Sequence, residues 1–218
     1  MEALINAVLL GVVALLPLIN PPTTVALFIS LSKGLTAEEK NTQALKAALY
    51  VLLIMLVTYY VGELVMRAFS ISIPGLRIAG GGILVAIGYK MLFPTFPTEE
   101  SISQKGEIKG NFAFIPLAMP STAGPGTIAM ILSSVATIRD NTYFPSWVLV
   151  VAPPLIFILS SFIVWSCLRC SGLLMRLLGD SGVDAISRIM GFILICMGVQ
   201  FFINGFSEVA QILISKNS

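Results

Sequence analysis

The stretch PLINPPTTVA, residues 17–26, returns in altered form as PLAMPSTAGPGTIA, residues 116–129, and both copies lie within long apolar runs. Each copy opens with Pro-Leu-x-x-Pro and closes with Pro-x-Thr, a β-branched residue and Ala. Proline removes a backbone donor and clashes with the preceding turn, so several prolines in one span interrupt its helix. Broken helices at corresponding places in two halves of a chain are typical of transporter binding sites.

The composition is that of a membrane protein. Hydrophobic residues make up 56% of the chain and charged residues only 11%, far from the average of soluble domains. We therefore predict an all-α integral membrane protein with six transmembrane helices, of which the first and the fourth are broken. The predicted spans are Leu4–Ser32, Ala44–Met66, Leu76–Phe93, Phe112–Ala136, Ser146–Leu168 and Ala185–Phe206.

The positive charges predict the orientation. Connections one, three and five carry Lys33, Lys40, Lys46, Lys90, Lys105, Lys109, Arg169, Arg176 and Arg188, and the opposite side carries Arg67, Arg77, Arg139 and Lys216. The positive-inside rule then places the odd-numbered connections in the cytoplasm and both termini outside. Residues 1–93 form a first three-span repeat, residues 94–111 a cytoplasmic connecting loop, and residues 112–218 a second three-span repeat. With three spans in each half, the two repeats are inverted.

A second, weaker repeat supports this division. Arg77-Ile78-Ala79-Gly80 in the third span corresponds to Arg188-Ile189-Met190-Gly191 in the sixth. Ordinary close packing of helices accounts for most of these glycines.

These motifs carry a family resemblance. INPPTTVALF, SIPGLRIAGGG, PLAMPSTAGPGTIAMI, VAPPLIF and AISRIMGF, in this order and spacing, resemble the MarC family of bacterial inner-membrane proteins, also called the neutral amino acid transporter family. The resemblance runs along essentially the whole chain. It implies a six-span protein of the bacterial inner membrane whose relatives move small neutral amino acids such as glycine and alanine. In that membrane the charge count puts both termini in the periplasm.

The breaks themselves suggest a chemistry. A helix interrupted in mid-membrane leaves free N–H groups on one half-helix and free carbonyls on the other, with partial charges that match the two ends of a zwitterion. Hydroxyls, an amide and glycines that admit a ligand to the backbone lie beside them. The candidate substrate-binding residues are Asn20, Pro21, Pro22, Thr23, Thr24, Ser121, Thr122, Gly124, Pro125, Gly126 and Thr127. The alternative is that the prolines only kink the helices and the hydroxyls bond back one turn; two matched breaks favour the binding site.

Other residue types narrow the function. The chain has no His, and Glu63, the one carboxylate clearly within a predicted span, is interpreted as an i,i+4 partner of Arg67. A buried proton relay, a Ser-His-Asp triad and a basic nucleic-acid surface are therefore not predicted. Cys167-x-x-Cys170 raises a thiol–disulfide relay as a rival class, but we interpret these cysteines and Cys196 as small packing residues.

The sequence thus predicts a transporter of small neutral solutes, most of all neutral amino acids, with no enzymatic activity and no cofactor or metal. A channel or exporter for another small metabolite or drug, and a membrane protein without transport activity, remain alternatives. Na⁺ or H⁺ as a coupling ion and assembly into a homo-oligomer are left open; the lipid bilayer is the expected surrounding.

The charge count makes a testable prediction of topology. Reporter fusions after Lys40, Glu107 and Asp180 are expected to report a cytoplasmic location. Fusions after Ser72, Asn141 and Ser218 are expected to report the outside. A cytoplasmic signal at the C-terminal fusion would mean an odd number of spans and would remove the inverted repeat.

Overall fold

The computed structural model describes residues 2–93, 112–139 and 145–217, with the side chains of residues 120, 121, 136–139, 146, 216 and 217 left out. Over these ranges every regular element is a helix. In chain order the elements are α1 (Glu2–Ile19), α2 (Pro21–Leu31), α3 (Ala37–Ala68), α4 (Ile73–Leu92), the π-type helix π1 (Ala113–Thr122), α5 (Pro125–Arg139), α6 (Ser146–Arg169) and α7 (Ser171–Asn217). The predicted connecting loop 94–111 lies outside the described residues.

The prediction of an all-α membrane protein is confirmed. Five helices of the described chain are long and apolar enough to cross a membrane: α1, α3, α4, and the segments Trp147–Arg169 and Ser171–Ser215 of α6 and α7. Two shorter apolar helices, Pro21–Leu31 and Pro125–Val135, follow the breaks. The predicted fourth span is therefore divided between π1 and α5 rather than being one long helix, because prolines and glycines interrupt it.

The surface is apolar and the interior is rich in small residues. On α3 the buried positions include Ala44, Ala47 and Ala48, whereas Leu53 and Leu64 are exposed. Lipid tails solvate leucine as well as a protein core does, so helices in a bilayer associate through small residues that let their backbones approach. The helix thus turns its small face to the bundle and its large face to lipid.

The closest helix contact joins α4 to α7. A Cβ placed on Gly81 would lie 2.6 Å from the carbonyl oxygen of Gly198, and one placed on Gly198 would lie 2.6 Å from that of Gly81. In the same way, a Cβ placed on Gly88 would lie against the carbonyl oxygen of Gly191, and one placed on Gly191 would lie against that of Gly88. Residue numbers rise along α4 as they fall along α7, so the two helices run antiparallel.

The other helices pack around this pair in a regular pattern. α3 contacts α6, π1 and α5; α6 also contacts α1 and α2; α7 also contacts α2; and α4 also contacts α5. The core between them is centred on Ile19, Phe28, Val51, Leu84 and Leu117, all but inaccessible. Both helix breaks border this core.

The glycine contact predicts a large effect of substitution. Gly81→Ile would force a branched side chain against the α7 backbone, and overpacking of this kind costs about 1–3 kcal/mol or more. We expect a clear fall in the thermal unfolding temperature of the purified protein in detergent. Gly172, which has nothing within 4 Å of its missing Cβ, provides the control: Gly172→Ala should leave the unfolding temperature unchanged or slightly raised. Equal unfolding temperatures for the two variants would refute the packing assigned to α4 and α7.

Candidate functional site

The first helix break lies at Asn20. This residue adopts the left-handed conformation (φ 43°, ψ 67°), and Pro21 begins α2 immediately after it. The left-handed region is unusual for a residue other than glycine, with asparagine among those that enter it most readily. Asn20 therefore serves as the hinge that ends α1 and redirects the chain, while the prolines at the start of α2 require no backbone hydrogen bond.

The second break is longer. Within π1, Ile115 (φ −120°, ψ 125°) and Met119 (φ −132°, ψ 126°) are extended, and a further interruption at Ala123 and Gly124 precedes α5. Prolines lie in this segment and at the start of α5, so the backbone cannot form a continuous ladder of helical hydrogen bonds. The predicted interruption of both helices is thus present in the structure.

Hydroxyl groups bond back to carbonyls at both breaks. The Thr24 hydroxyl donates to the carbonyl oxygens of Ile19 (3.1 Å) and Asn20 (3.2 Å), and the Thr127 hydroxyl donates to that of Thr122 (3.2 Å). Thr24 and Thr127 occupy the same position in the two copies of the sequence repeat, and each reaches back five residues. The Thr122 hydroxyl donates to the carbonyl oxygen of Leu117 (2.9 Å). These bonds satisfy acceptors that the broken helices leave open.

The two breaks meet in the core. The hydroxyl oxygens of Thr24 and Thr122 lie 3.4 Å apart, although the residues are 98 positions apart in the chain. The rings of Phe28 and Phe112 pack beside them with centroids 6.1 Å apart. The structure thus brings together part of each predicted motif.

The remaining predicted residues are distributed around this contact. Thr23 is exposed and its hydroxyl lies 2.7 Å from that of Ser187 on α7. The Asn20 amide donates to the Thr23 hydroxyl (2.6 Å), whereas its buried oxygen Oδ1 has no hydrogen-bond partner. Pro125 is exposed, Gly124 is buried, and Pro21 and Pro22 are half-buried. The side chain of Ser121 lies outside the described residues.

Gly126 is buried against large apolar side chains. A Cβ on it would approach Leu18, Leu84 and Ile87 at 3.1–3.2 Å. Thr24, Thr122 and Thr127 are likewise at most 2% exposed. In this conformation the predicted residues therefore enclose a packed contact rather than an open cavity.

A cavity of about 350 Å³ lies further along the bundle. It is bordered by residues 7–15 of α1, 130–134 of α5 and 148–157 of α6, together with single positions of α3 and α4 and two of α7. Leu15 lines it and Asn20 follows five residues later, about 7 Å away along a helix. The apolar wall includes Ala7, Leu10, Gly11, Ala14, Leu149, Ala152, Pro153, Ile156, Phe157 and Phe201; the polar lining residues are Tyr59, Arg77, Ser133, Ser134 and Asn204.

Arg77 is the charged residue of this cavity. It is 8% exposed, pairs through Nη1 with the Glu208 carboxylate of α7, and donates from Nε to the Ser133 hydroxyl (3.3 Å). Removing a guanidinium from water carries a large cost in free energy unless an anion and hydrogen bonds compensate for the lost hydration. A few converging polar groups in an otherwise apolar cavity of this size are typical of a small-molecule site.

The sequence analysis missed this residue and its partner. It gave Arg77 no role beyond the count of positive charges on the non-cytoplasmic side, whereas the structure buries this residue within the bundle. It also ended the sixth span at Phe206, whereas α7 continues and brings Glu208 to Arg77. One signal was available, since an arginine inside a predicted span is a functional candidate in its own right.

Smaller predictions have clear outcomes. The Glu63–Arg67 ion pair is confirmed, with an N–O distance of 2.7 Å. All three cysteines are free thiols; Cys167 is half-buried, but Cys170 and Cys196 are exposed, so only Cys167 packs against the core as predicted. In the described part of the chain no three His, Cys, Asp or Glu side chains come together in a way that could hold a metal ion.

The long apolar helices define a multi-pass helical membrane protein. Residues 5–210 match the MarC family of integral membrane proteins, and the chain belongs to this family. It is 56% identical to the inner membrane protein MarC of Citrobacter koseri and to that of Salmonella typhimurium, in each case over 97% of this chain and 99% of the relative. The MarC protein of Escherichia coli O1:K1 is 56% identical over 95% of this chain and 97% of its own length. No solved structure matches. The chain is thus a multi-pass inner membrane protein.

The contact between the breaks can be tested by cross-linking. In a variant with Cys167, Cys170 and Cys196 replaced by Ser, we expect Thr24→Cys and Thr122→Cys together to form a disulfide under mild oxidation, because the hydroxyls they replace nearly touch. The denatured protein is treated with a maleimide-linked polymer, which adds mass to each free thiol. The fraction of protein that shows no added mass on a denaturing gel measures disulfide formation.

The control pair combines Thr23→Cys with Thr122→Cys. Thr23 is the neighbour of Thr24 but contacts α7 instead, so this pair should remain reactive. Equal oxidation of both pairs, or of neither, would contradict the arrangement of the breaks.

Proposed function

We propose that this chain is a transporter of small neutral solutes, in particular neutral amino acids such as glycine and alanine, built as six spans in two inverted three-helix repeats. The observation that carries the proposal is the cavity between the helices, with a buried Arg77 in an apolar wall. The two helix breaks lie directly beyond it. The family resemblance favours the same solute class.

The packing pattern supports the inverted repeat. In the proposed repeat, α1 corresponds to π1, α2 to α5, α3 to α6 and α4 to α7. A contact between two helices should then recur between their two counterparts. The contact of α3 with π1, for example, recurs as the contact of α6 with α1. Likewise, the contact of α3 with α5 recurs as that of α6 with α2, and the contact of α4 with α5 as that of α7 with α2; all of these contacts are present. The α3–α6 and α4–α7 contacts map onto themselves. Among the described residues, the weaker contacts of α7 with α1 and with α6 do not recur in this way. The symmetry of the others is expected of a pseudo-two-fold axis.

The glycine contact supports the inversion itself. An offset of 110, one less than the 111 that relates Arg77 to Arg188, relates Gly81 and Gly88 to Gly191 and Gly198. The reciprocal contacts join each glycine to the counterpart of the other. A two-fold axis that lies in the membrane plane relates two antiparallel helices in this manner, whereas a parallel repeat would not make them antiparallel.

The cavity lies toward one face of the bundle. Along the predicted spans, its lining residues fall in the first halves of the first, third and fifth spans and in the second halves of the second, fourth and sixth. With both termini in the periplasm, this is the periplasmic face. A carrier of this architecture alternates between such a state and one open to the cytoplasm, by movement of one repeat against the other around the central breaks. Na⁺ or H⁺ remains the proposed class of coupling ion.

The transport proposal is tested by uptake. Purified protein in liposomes should accumulate radiolabelled glycine or alanine, and liposomes preloaded with the unlabelled solute should take up label faster. A channel would show no such acceleration by exchange. The proposed substrate class would be refuted if proteoliposomes took up no more of these amino acids than protein-free liposomes do, both with and without Na⁺ or H⁺ gradients.

A matched pair of substitutions tests the role of the cavity. Ala14 lines it, whereas the adjacent Val13 is 61% exposed on the lipid-facing surface. Ala14→Trp should fill the cavity and lower the rate of uptake at least tenfold. Val13→Trp should leave the rate of uptake unchanged, since lipid accommodates the added ring. Comparable uptake by the two variants, at matched levels in the membrane, would show that solute does not pass through this cavity.

A further inference from the structure

We propose that the Arg77 guanidinium is the group that binds the carboxylate of the solute, and that Glu208 occupies it as an internal substitute until the solute arrives. The inference rests on the transport function proposed above and names the solute group that the cavity recognises. In this proposal the Arg77–Glu208 ion pair opens when the solute binds, rather than linking α4 and α7 permanently.

The two partners of the pair differ in their surroundings. The side chain of Arg77 is 10% exposed, whereas that of Glu208 is 32% exposed. Arg77 lines the cavity, whereas Glu208 is paired with Arg77 and keeps about a third of its side chain accessible. Glu208 can therefore be released and rehydrated at far lower cost than Arg77, which must keep an anion beside it.

The chemistry of exchange follows from this difference. A guanidinium presents its donors as a planar fork that matches a carboxylate, so one carboxylate can replace another with little change in geometry. The charge beside Arg77 is the same before and after exchange. A solute without an anionic group cannot make this replacement, because the guanidinium would lose the Glu208 carboxylate and gain no anion in its place.

The rest of the cavity restricts the solute. Asn204 accepts a hydrogen bond from Gln200 on its amide oxygen (2.9 Å), and its N–H₂ group remains a donor. Along α1 and α6 the wall is made largely of small and aliphatic residues. A short apolar side chain fits beside these walls, and the ammonium of a zwitterion can pair with the released Glu208. The expected solute class is a small amino acid with a free carboxylate.

A purely structural ion pair makes a different prediction. Arg77 would then stabilise the contact of α4 with α7, where Gly205 already packs closely on the Pro74 carbonyl oxygen. Removing Glu208 would weaken the fold, and carboxylates would have no special effect.

The experiment measures thermal unfolding of the full-length protein in detergent, titrated with alanine, propionate or alaninamide at constant ionic strength. We expect alanine and propionate to raise the unfolding temperature and alaninamide, which lacks the carboxylate, to have no effect. In Glu208→Gln the internal competitor is gone, so the apparent affinity for propionate, which has no ammonium for Glu208 to pair with, should rise about tenfold if Glu208 leaves Arg77 about a tenth of the time in the wild type. Arg77→Lys should weaken alanine binding, because an ammonium cannot form the fork.

Two further variants keep the result interpretable. Glu63→Gln removes the carboxylate of the exposed Glu63–Arg67 pair and should leave the propionate affinity unchanged. If Glu208→Gln fails to fold, the double variant Arg77→Gln, Glu208→Gln carries no buried charge, and it should fold while losing its preference for carboxylates.

The inference is overturned if the wild type shows no difference between alanine and alaninamide, or if the double variant still prefers alanine. Liposome uptake decides the transport function separately. Alanine uptake that continues in the double variant, with the same discrimination against alaninamide, would leave that function standing and remove Arg77 from recognition.

Discussion

A bilayer offers no hydrogen bonds to a broken helix, and this constraint shapes the whole structure. The groups freed at the two breaks must find partners inside the protein. The hydroxyls of Thr24, Thr122 and Thr127 satisfy some of these groups, because each donates a hydrogen bond to the carbonyl oxygen five residues earlier. The breaks must also be kept away from lipid, and they achieve this by packing against each other in the centre of the bundle.

A second consequence concerns the placement of charge. The glycines of α4 and α7 let the two backbones touch, and this contact continues to Gly205, on which the α4 segment around Pro74 packs. Glu208 follows within one helical turn and reaches Arg77. The close approach of two helices therefore positions a buried guanidinium beside a carboxylate, at the wall of the cavity. Packing and recognition depend on the same contact, since a wider separation of α4 and α7 would leave Arg77 without its anion.

Much of this could be predicted from the sequence because the deciding signals are local. Hydropathy predicted the helical membrane protein, the prolines predicted both interruptions, and the spacing of Glu63 and Arg67 predicted their ion pair. The burial of Arg77 could not be derived in this way. Its partner lies 131 positions further along the chain, beyond the predicted end of the sixth span, and Ser133 belongs to another helix. Similarly, the exposure of Cys196 depends on which face of α7 meets lipid.

The most direct test of the account is whether solute protects the cavity from chemical modification. In the cysteine-free variant, Ser134→Cys places a single thiol in the cavity wall, and Ser72→Cys places one at the exposed start of α4. We predict that saturating alanine slows maleimide labelling of the thiol at position 134 severalfold and leaves labelling at position 72 unchanged. Equal labelling rates at position 134 with and without alanine, in protein that still transports it, would place the binding site elsewhere and contradict the account.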